Sequence, residues 1–508
     1  MNFLTSLSES IIHWGALIFL CALVVGCVYI AFMYWVDVSQ TKHTIRRNYP
    51  VIGRMRYTLE HMGEFFRQYF FAFDRDERPF DRAERSWVYR AAKHEDTTTA
   101  FGSTRSLETP GDIFFVSSVF PKLKEEAVTP AEVCIGEFTA RHPYRSSSLV
   151  NISGMSYGAL SKPAVRALSK GAKQAGIWMN TGEGGLSPYH LEGGCDIVFQ
   201  IGTAKYGVQD EQGHLDDDRL LKVASHEQVK MIEIKLSQGA KPGKGGMLPG
   251  AKVTAEIAEV RHIKEGEDSI SPNRHVDISC TDDLLDMIHH VRELTGKPTG
   301  IKMVVGDLSF FDEFFSRIHQ RGLEYAPDFI TLDSADGGTG AAPQTLIDYV
   351  GVTIRESLPE VVNRVTSYGL RSRIKIIATG KLITPGKAAW ALAMGADFVV
   401  SARGFLFSLG CIQALKCNHN TCPTGITTHD TELQKGLVPE EKSVRVANYA
   451  SEIAYSIGLI AHACGVSEAR QLNRKHVRMI QDQSHSVCYD DVNPLPKENT
   501  NRHETDAF

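Results

Sequence analysis

Three cysteines, Cys411, Cys417 and Cys422, stand in C-x5-C-x4-C spacing within the stretch CIQALKCNHNTCP. Thiolates gathered in so short a segment suit an iron–sulfur cluster, and with it electron transfer. Cys411 and Cys417 are nearly two helical turns apart, so the segment must leave helix and wrap as a loop, which Asn418, Asn420 and Pro423 favour. The bland alternative is a loop with buried thiols. The chain holds 10 cysteines in 508 residues, the others scattered from Cys21 to Cys488, which is no disulfide framework and fits a reducing compartment.

Other candidate chemistry sits in glycine-rich stretches that follow apolar runs. These are 153–161 (SGMSYGALS, with Met155 and Ser156), 180–185 (NTGEGG, with Glu183), 236–250 (LSQGAKPGKGGMLPG, with Gln238, Lys241 and Lys244) and 333–343 (DSADGGTGAAP, with Ser334, Gly337 and Gly338). Glycine lets backbone approach a ligand closely, and the lysines supply charge for an anion; a surface loop is the alternative reading. Two later stretches, 378–381 (ATGK, with Gly380) and 401–404 (SARG, with Arg403 and Gly404), lead from apolar strands into helix N-termini. Such termini bind phosphate through backbone N–H groups, the arrangement expected for FMN. Lys302, alone on an apolar strand, is either a cation beside the pyrimidine edge of a flavin or half of a structural ion pair.

The elements that must position these residues are legible from residue 148 onward. Apolar β-rich runs at 149–152, 177–180, 231–235, 300–305, 329–332, 374–378 and 398–401 alternate with helical stretches at 162–175, 282–294, 310–321, 344–354 and 385–394. Thr384 reads as the N-cap of the last of these, with Pro385 at its first position. Alternating strands and helices predict a parallel sheet, and their number favours a (β/α)8 TIM barrel of ~250 residues over a doubly wound sheet. Its active site would lie on the loops after the strands, where the motifs stand.

Residues 14–36 (WGALIFLCALVVGCVYIAFMYWV) carry no charge and are long enough to cross the hydrocarbon core as a transmembrane helix. Lys42, Arg46, Arg47, Arg54 and Arg56 follow and only Glu9 precedes, so the positive-inside rule predicts a single-pass membrane protein with its catalytic domain in the cytoplasm. The chain therefore divides into an N-terminal tail (1–13), the span (14–36), an extension packing on the barrel (37–147), the barrel with its cysteine loop at 411–423 (148–430), C-terminal helices (431–483, with helical spacing at 440–464 and 467–483) and a polar, partly disordered tail (484–508). A net charge of −5 argues against nucleic acid as a general partner.

The motifs at 180–185, 235–252 and 336–343, followed by the three-cysteine loop, resemble in content and order the FMN-binding synthase domain of glutamate synthase. The combination of QGAKPGKGGMLPG with C-x5-C-x4-C-P carries the likeness, which covers about 148–428; the wider chain resembles stand-alone, membrane-anchored members. The resemblance implies a barrel holding FMN and a 3Fe–4S cluster ligated by Cys411, Cys417 and Cys422, making L-glutamate by reductive amination of 2-oxoglutarate with ammonia. It also implies that Lys241 and Arg261 grip the two carboxylates, that Gln238 lines the same pocket, and that Glu183 or Lys241 assists proton transfer. Met155, Ser156, Lys302, Ser334, Gly337, Gly338, Gly380, Arg403 and Gly404 would contact the flavin.

The chain departs from that family at Met247, where glutamine is usual, and at Ala378-Thr379-Gly380, which replaces an Asp-Gly-Gly strand ending. It shows neither an N-terminal cysteine nucleophile nor a GxGxxG fingerprint. Ammonia is thus expected from solution or a separate amidotransferase subunit, and electrons from a ferredoxin, a flavoprotein or a membrane carrier. Two rival readings stand beside this one: an FMN dehydrogenase of another amino or hydroxy acid linked to the membrane, and a membrane scaffold that keeps the barrel without turnover.

Overall fold

The computed structural model describes residues 2–497, and its contacts divide the chain into two units, Met1–Arg82 and Ala83–Phe508. In the first unit, a helix spans Asn2–Ser39. Within its segment Ser10–Ser39 an 18-residue window has mean hydropathy 2.7 and none of that window is buried, so the helix is long and apolar enough to cross a membrane. A short helix Thr44–Asn48 and a longer one, Gly53–Phe66, follow, the latter continuing as a π-helical turn Arg67–Phe71.

The second unit is built on eight strands: β1 (Val150–Ile152), β2 (Met179–Asn180), β3 (Ile197–Ile201), β4 (Val229–Lys235), β5 (Thr299–Val304), β6 (Phe329–Asp333), β7 (Lys375–Ala378) and β8 (Phe398–Ser401). They pair in parallel in that order and close through β8 on β1, giving the (β/α)8 barrel that the strand count favoured. One strand, β3, lies outside the sequence reading, although IVFQI is wholly buried, as a strand walled on both faces should be. Across β4 and β5 the register sets Lys302 opposite Lys235, so the two lysines share one level.

The interior is packed rather than hollow. Trp178, Val198, Met231, Phe329, Ile377, Phe398 and Val400 fill it, joined by Ile135 from the antiparallel hairpin Val133–Ile135 with Tyr144–Ser146. Outside, the helix Lys162–Ala175 carries the C-terminal helix Pro439–Ala463. Their approach requires Gly171, because a Cβ there would stand 2.5 Å from Val446. The helix Pro385–Ala393 begins at its expected proline, with Thr384 extended but its hydroxyl making no cap bond.

Two expectations are corrected. Residues 344–354 are not one helix: Gln344–Tyr349 stops where Gly351 turns to φ 99°, and a second helix, Ile354–Ser367, starts beyond it. Residues 467–483 are not helical. They form two 3-10 turns and the strand Val477–Ile480, which pairs with Ile113–Phe115 and Ser486–Cys488. A partner over 300 residues away in sequence overrides local helical spacing there. Of the expected tail, Ser486–Cys488 is strand and Tyr489–Val492 helix, and residues 498–508 lie outside the described residues.

Candidate active site

Above the apolar filling comes a polar layer. The alternation of β4 turns Glu233 and Lys235 to the same side. The buried Glu233 carboxylate accepts hydrogen bonds from Asn180 (2.8 Å), Gln200 (2.7 Å) and Thr331 (2.6 Å). One level higher, Lys235 donates to Glu183 Oε2 at 2.5 Å and to Gln238 Oε1 at 2.6 Å. Lys241 Nζ lies 3.7 Å from Glu183 Oε1, beyond hydrogen-bond reach.

These charges tune one another. Burial alone would raise the Glu183 pKa, but Lys235, Lys241 and Arg261 outweigh it and hold the group at about 2, so it is ionised at neutral pH. Burial pushes the Lys235 ammonium below the usual lysine range, partly offset by Glu183. Arg261 is buried as well. Its guanidinium donates to Ser269 Oγ at 3.2 Å and to the Tyr157 carbonyl at 3.2 Å, and lies 5.0 Å from the Tyr206 ring centroid, while its Nε has no partner among the described residues.

A cavity of about 90 Å³ opens between these groups. Glu183, Lys241, Arg261 and Ser156 line it together with Lys252, Met247 and Cys417. Three cationic side chains and one carboxylate thus line the cavity, which leaves it cationic and suited to a dianionic ligand. Gln238 is held just behind it through Lys235; Met155 is buried, and neither it nor Lys244 lines the cavity.

The cysteine loop forms one wall of this cavity. The helix Arg403–Leu409 ends at Gly410 in left-handed conformation, and the chain then wraps irregularly through left-handed Gln413, Leu415 and Asn420, as the cysteine spacing required. Lys252, almost fully buried, donates to the carbonyls of Cys417 (2.9 Å) and Thr427 (2.7 Å) and clamps the loop. Burial raises the Cys411 thiol pKa, with the other two cysteines adding to the rise. At Cys422 burial is outweighed by hydrogen bonds, among them one from the Thr424 hydroxyl at 3.3 Å, and its pKa falls. Among the described residues no His, Cys, Asp or Glu trio converges on a single metal ion. The three thiols share one loop, Cys422 buried and Cys411 and Cys417 partly so. His429 Nε2 bonds the Gly158 carbonyl at 2.8 Å.

A second group of expected residues gathers at the ends of β6, β7 and β8. Gly380 takes φ 123°, where a side chain is strained, and a Cβ would lie 2.1 Å from Ser334 Cβ. The Ser334 hydroxyl bonds Asp336, whose carboxylate pairs with Lys381 at 3.0 Å. Gly337 N–H donates to the Ser334 carbonyl, Gly338 packs over the Arg403 guanidinium, and Arg403 donates to the Thr339 carbonyl at 2.6 Å. Gly404 N–H donates to Ser401 Oγ at 3.2 Å. Lys381 is committed to Asp336, which leaves Arg403, bonded to one carbonyl, as the cation at these strand ends suited to a phosphate. Lys302, one strand over, stands 3.7 Å from Asp333 Oδ2.

Sequence reasoning passed over Glu233, Lys235 and Lys252 as individual residues. Glu233 and Lys235 had a signal, being two ionisable groups at period two inside the apolar run MIEIK. Lys252 had none, because its partners are carbonyls far along the chain.

Fold and site together define a closed parallel (β/α)8 barrel with a cationic cavity walled by a cysteine loop. The family description "Conserved region in glutamate synthase" matches residues 120–467. The chain is 41% identical over 504 residues to the glutamate synthase large subunit-like protein YerD of Bacillus subtilis (strain 168), covering 91% of this chain and 95% of that protein. It is 36% identical over 339 residues to the archaeal glutamate synthase (NADPH) of Methanocaldococcus jannaschii, covering 65% of this chain but only 62% of that protein. Among solved structures, mandelate oxidase with benzoyl-formic acid aligns over 78% of this chain and 90% of its own, at 16% identity and TM-score 0.42. The chain belongs to the glutamate synthase family and is an oxidoreductase.

Proposed function

We propose that this protein is a membrane-anchored FMN and iron–sulfur enzyme that forms L-glutamate from 2-oxoglutarate and ammonia. The observation that carries the reading is the cavity lined by Lys241, Lys252, Arg261 and Glu183, with Cys417 in its wall. Lys241 and Arg261 hold the two carboxylates of the keto acid. Condensation with ammonia releases water and gives an imine; a hydride to its carbon and a proton to its nitrogen complete the amino acid. When bound, FMN supplies that hydride and a cluster on Cys411, Cys417 and Cys422 supplies the electrons that replenish it. Arg403, Gly404 and Gly380 are the residues suited to the flavin phosphate, and Lys302 to an anionic ring edge.

The proton comes from Lys235 in this reading and passes through the Glu183 carboxylate, which accepts from it at 2.5 Å and lines the cavity. Glu183 is held ionised and serves as its counter-charge, while burial makes the Lys235 ammonium a better acid than an exposed lysine. The apolar segment Ser10–Ser39 supports a membrane anchor, and the cationic residues after it favour a barrel on the cytoplasmic side.

Met247 favours one competing reading. Its thioether lines the cavity, so the site lacks an amide there to bind the keto acid, and a dehydrogenase of another amino or hydroxy acid would also fit. Purified full-length protein in detergent, prepared anaerobically, distinguishes them. Reoxidation of reduced enzyme that requires both 2-oxoglutarate and ammonia, with L-glutamate as product, supports the synthase; reduction by an amino or hydroxy acid alone supports the dehydrogenase. Absence of flavin and cluster alike rejects both.

A further inference from the structure

The helix Gly53–Phe66 and its continuation Arg67–Phe71 leave an apolar face uncovered. Ile52, Met55, Leu59, Met62, Phe66 and Tyr69 recur at alternating intervals of three and four residues, which is the stripe of an amphipathic helix, and every one is exposed. A soluble unit buries such a stripe in its own core. Here no described residue of the Met1–Arg82 unit does so. Arg56, Glu60 and His61 lie off the stripe, and Arg56 pairs with Glu60 at 3.0 Å. Those charges rule out full immersion in hydrocarbon, so the helix suits neither the core nor a second span.

Its position says what meets the stripe. Asp37, buried in the last turn of the apolar helix, receives Arg54 in a two-pronged salt bridge at 2.8 Å and the Val51 N–H at 3.0 Å. That contact ties the start of the amphipathic helix to the end of the span, at the level where a span leaves the bilayer. Between the two helices lie Lys42, Arg46 and Arg47, cations suited to anionic headgroups. We propose that residues 52–71 lie in the membrane–water interface as a second anchor, with the stripe among the outer acyl carbons of an anionic bilayer. The proposal rests on reading residues 10–39 as a membrane span.

The test uses full-length protein reconstituted in phosphatidylcholine–phosphatidylglycerol vesicles that carry photoreactive lipids. One lipid places a diazirine near the headgroup and another places it at mid-chain, and labelled peptides are mapped by mass spectrometry. Headgroup-proximal label on the 52–69 stripe, with mid-chain label on 14–36, supports the proposal. A Met55→Glu, Met62→Glu, Phe66→Glu variant should lose the first label and keep the second. Label confined to 14–36 overturns the interfacial helix and leaves the span standing. Absence of label from 14–36 overturns the span and the proposal with it. Crosslinks from the stripe to another copy of the chain, in place of lipid, overturn the lipid assignment.

Discussion

Replacing Lys241 by methionine removes one of the cations proposed to hold a substrate carboxylate, and the structure separates its cost to the ligand from its cost to the protein. Lys241 stands 3.7 Å from Glu183 Oε1, whereas Lys235 hydrogen-bonds the same carboxylate at 2.5 Å. Glu183 therefore keeps its main partner in the variant. Even a loss of about 4 kcal/mol of Coulomb attraction, near 3 pKa units, would move Glu183 from about 2 to about 5, still ionised at neutral pH. Folding should be nearly unaffected. The ligand loses a charge-assisted hydrogen bond in a confined cavity, worth about 2–4 kcal/mol or roughly 30- to 1,000-fold in Kd. Titration calorimetry of the holoenzyme with 2-oxoglutarate reads the affinity, and urea unfolding reads stability. A Kd within roughly threefold of wild type, about 0.7 kcal/mol, would refute the assignment of Lys241 to a carboxylate. Loss of affinity matched by a fall in the unfolding midpoint would refute the separation.

Further outcomes follow from the same geometry. Lys252→Gln removes the clamp on Cys417 and Thr427 and a positive charge beside the thiols. The cluster content of purified protein should fall and the midpoint potential of what remains should become more negative, both read by redox-poised EPR; unchanged values would leave Lys252 a purely structural residue. In Gly380→Ala the new methyl meets Ser334 at 2.1 Å from a strained φ of 123°, so the flavin-to-protein ratio should drop in the visible spectrum, and wild-type occupancy would exclude this loop from the phosphate site. Burial holds His190 and His275 near pKa 4, so the unfolded chain takes up protons first as pH falls. The stability these neutral histidines preserve is full above about pH 6.5 and lost towards pH 4, at about 2 kcal/mol per histidine between pH 7 and 5. Urea midpoints across that range should show the slope, and His190→Gln should flatten it.

Much of the barrel was legible because a strand buried on both faces is written as a short apolar run bounded by glycine loops, and seven such runs stand out. The strand at 197–201 escaped because the glycine motif at 180–185 and the polar stretch after 202 drew the boundaries elsewhere. Residues 467–483 misled for the opposite reason: their helical spacing is real, but pairing with Ile113–Phe115 decides their conformation.

At the site, residue types and spacing alone marked out the cysteine loop, the cationic glycine loop and the strand-end phosphate motifs, since each needs a chemistry that few side chains supply. Only the tertiary structure decided how they meet. Closure of the barrel brings Glu183, after β2, to one cavity with Lys241 and Arg261, both in the connection between β4 and β5, and Lys252 to the cysteine loop. Neighbouring cations then hold Glu183 ionised against its burial, while burial lowers the Lys235 pKa, which moves the proposed proton source from Glu183 or Lys241 to Lys235. A sequence names ionisable groups, but their charges depend on neighbours and on exclusion of water, which exist only once the chain has folded.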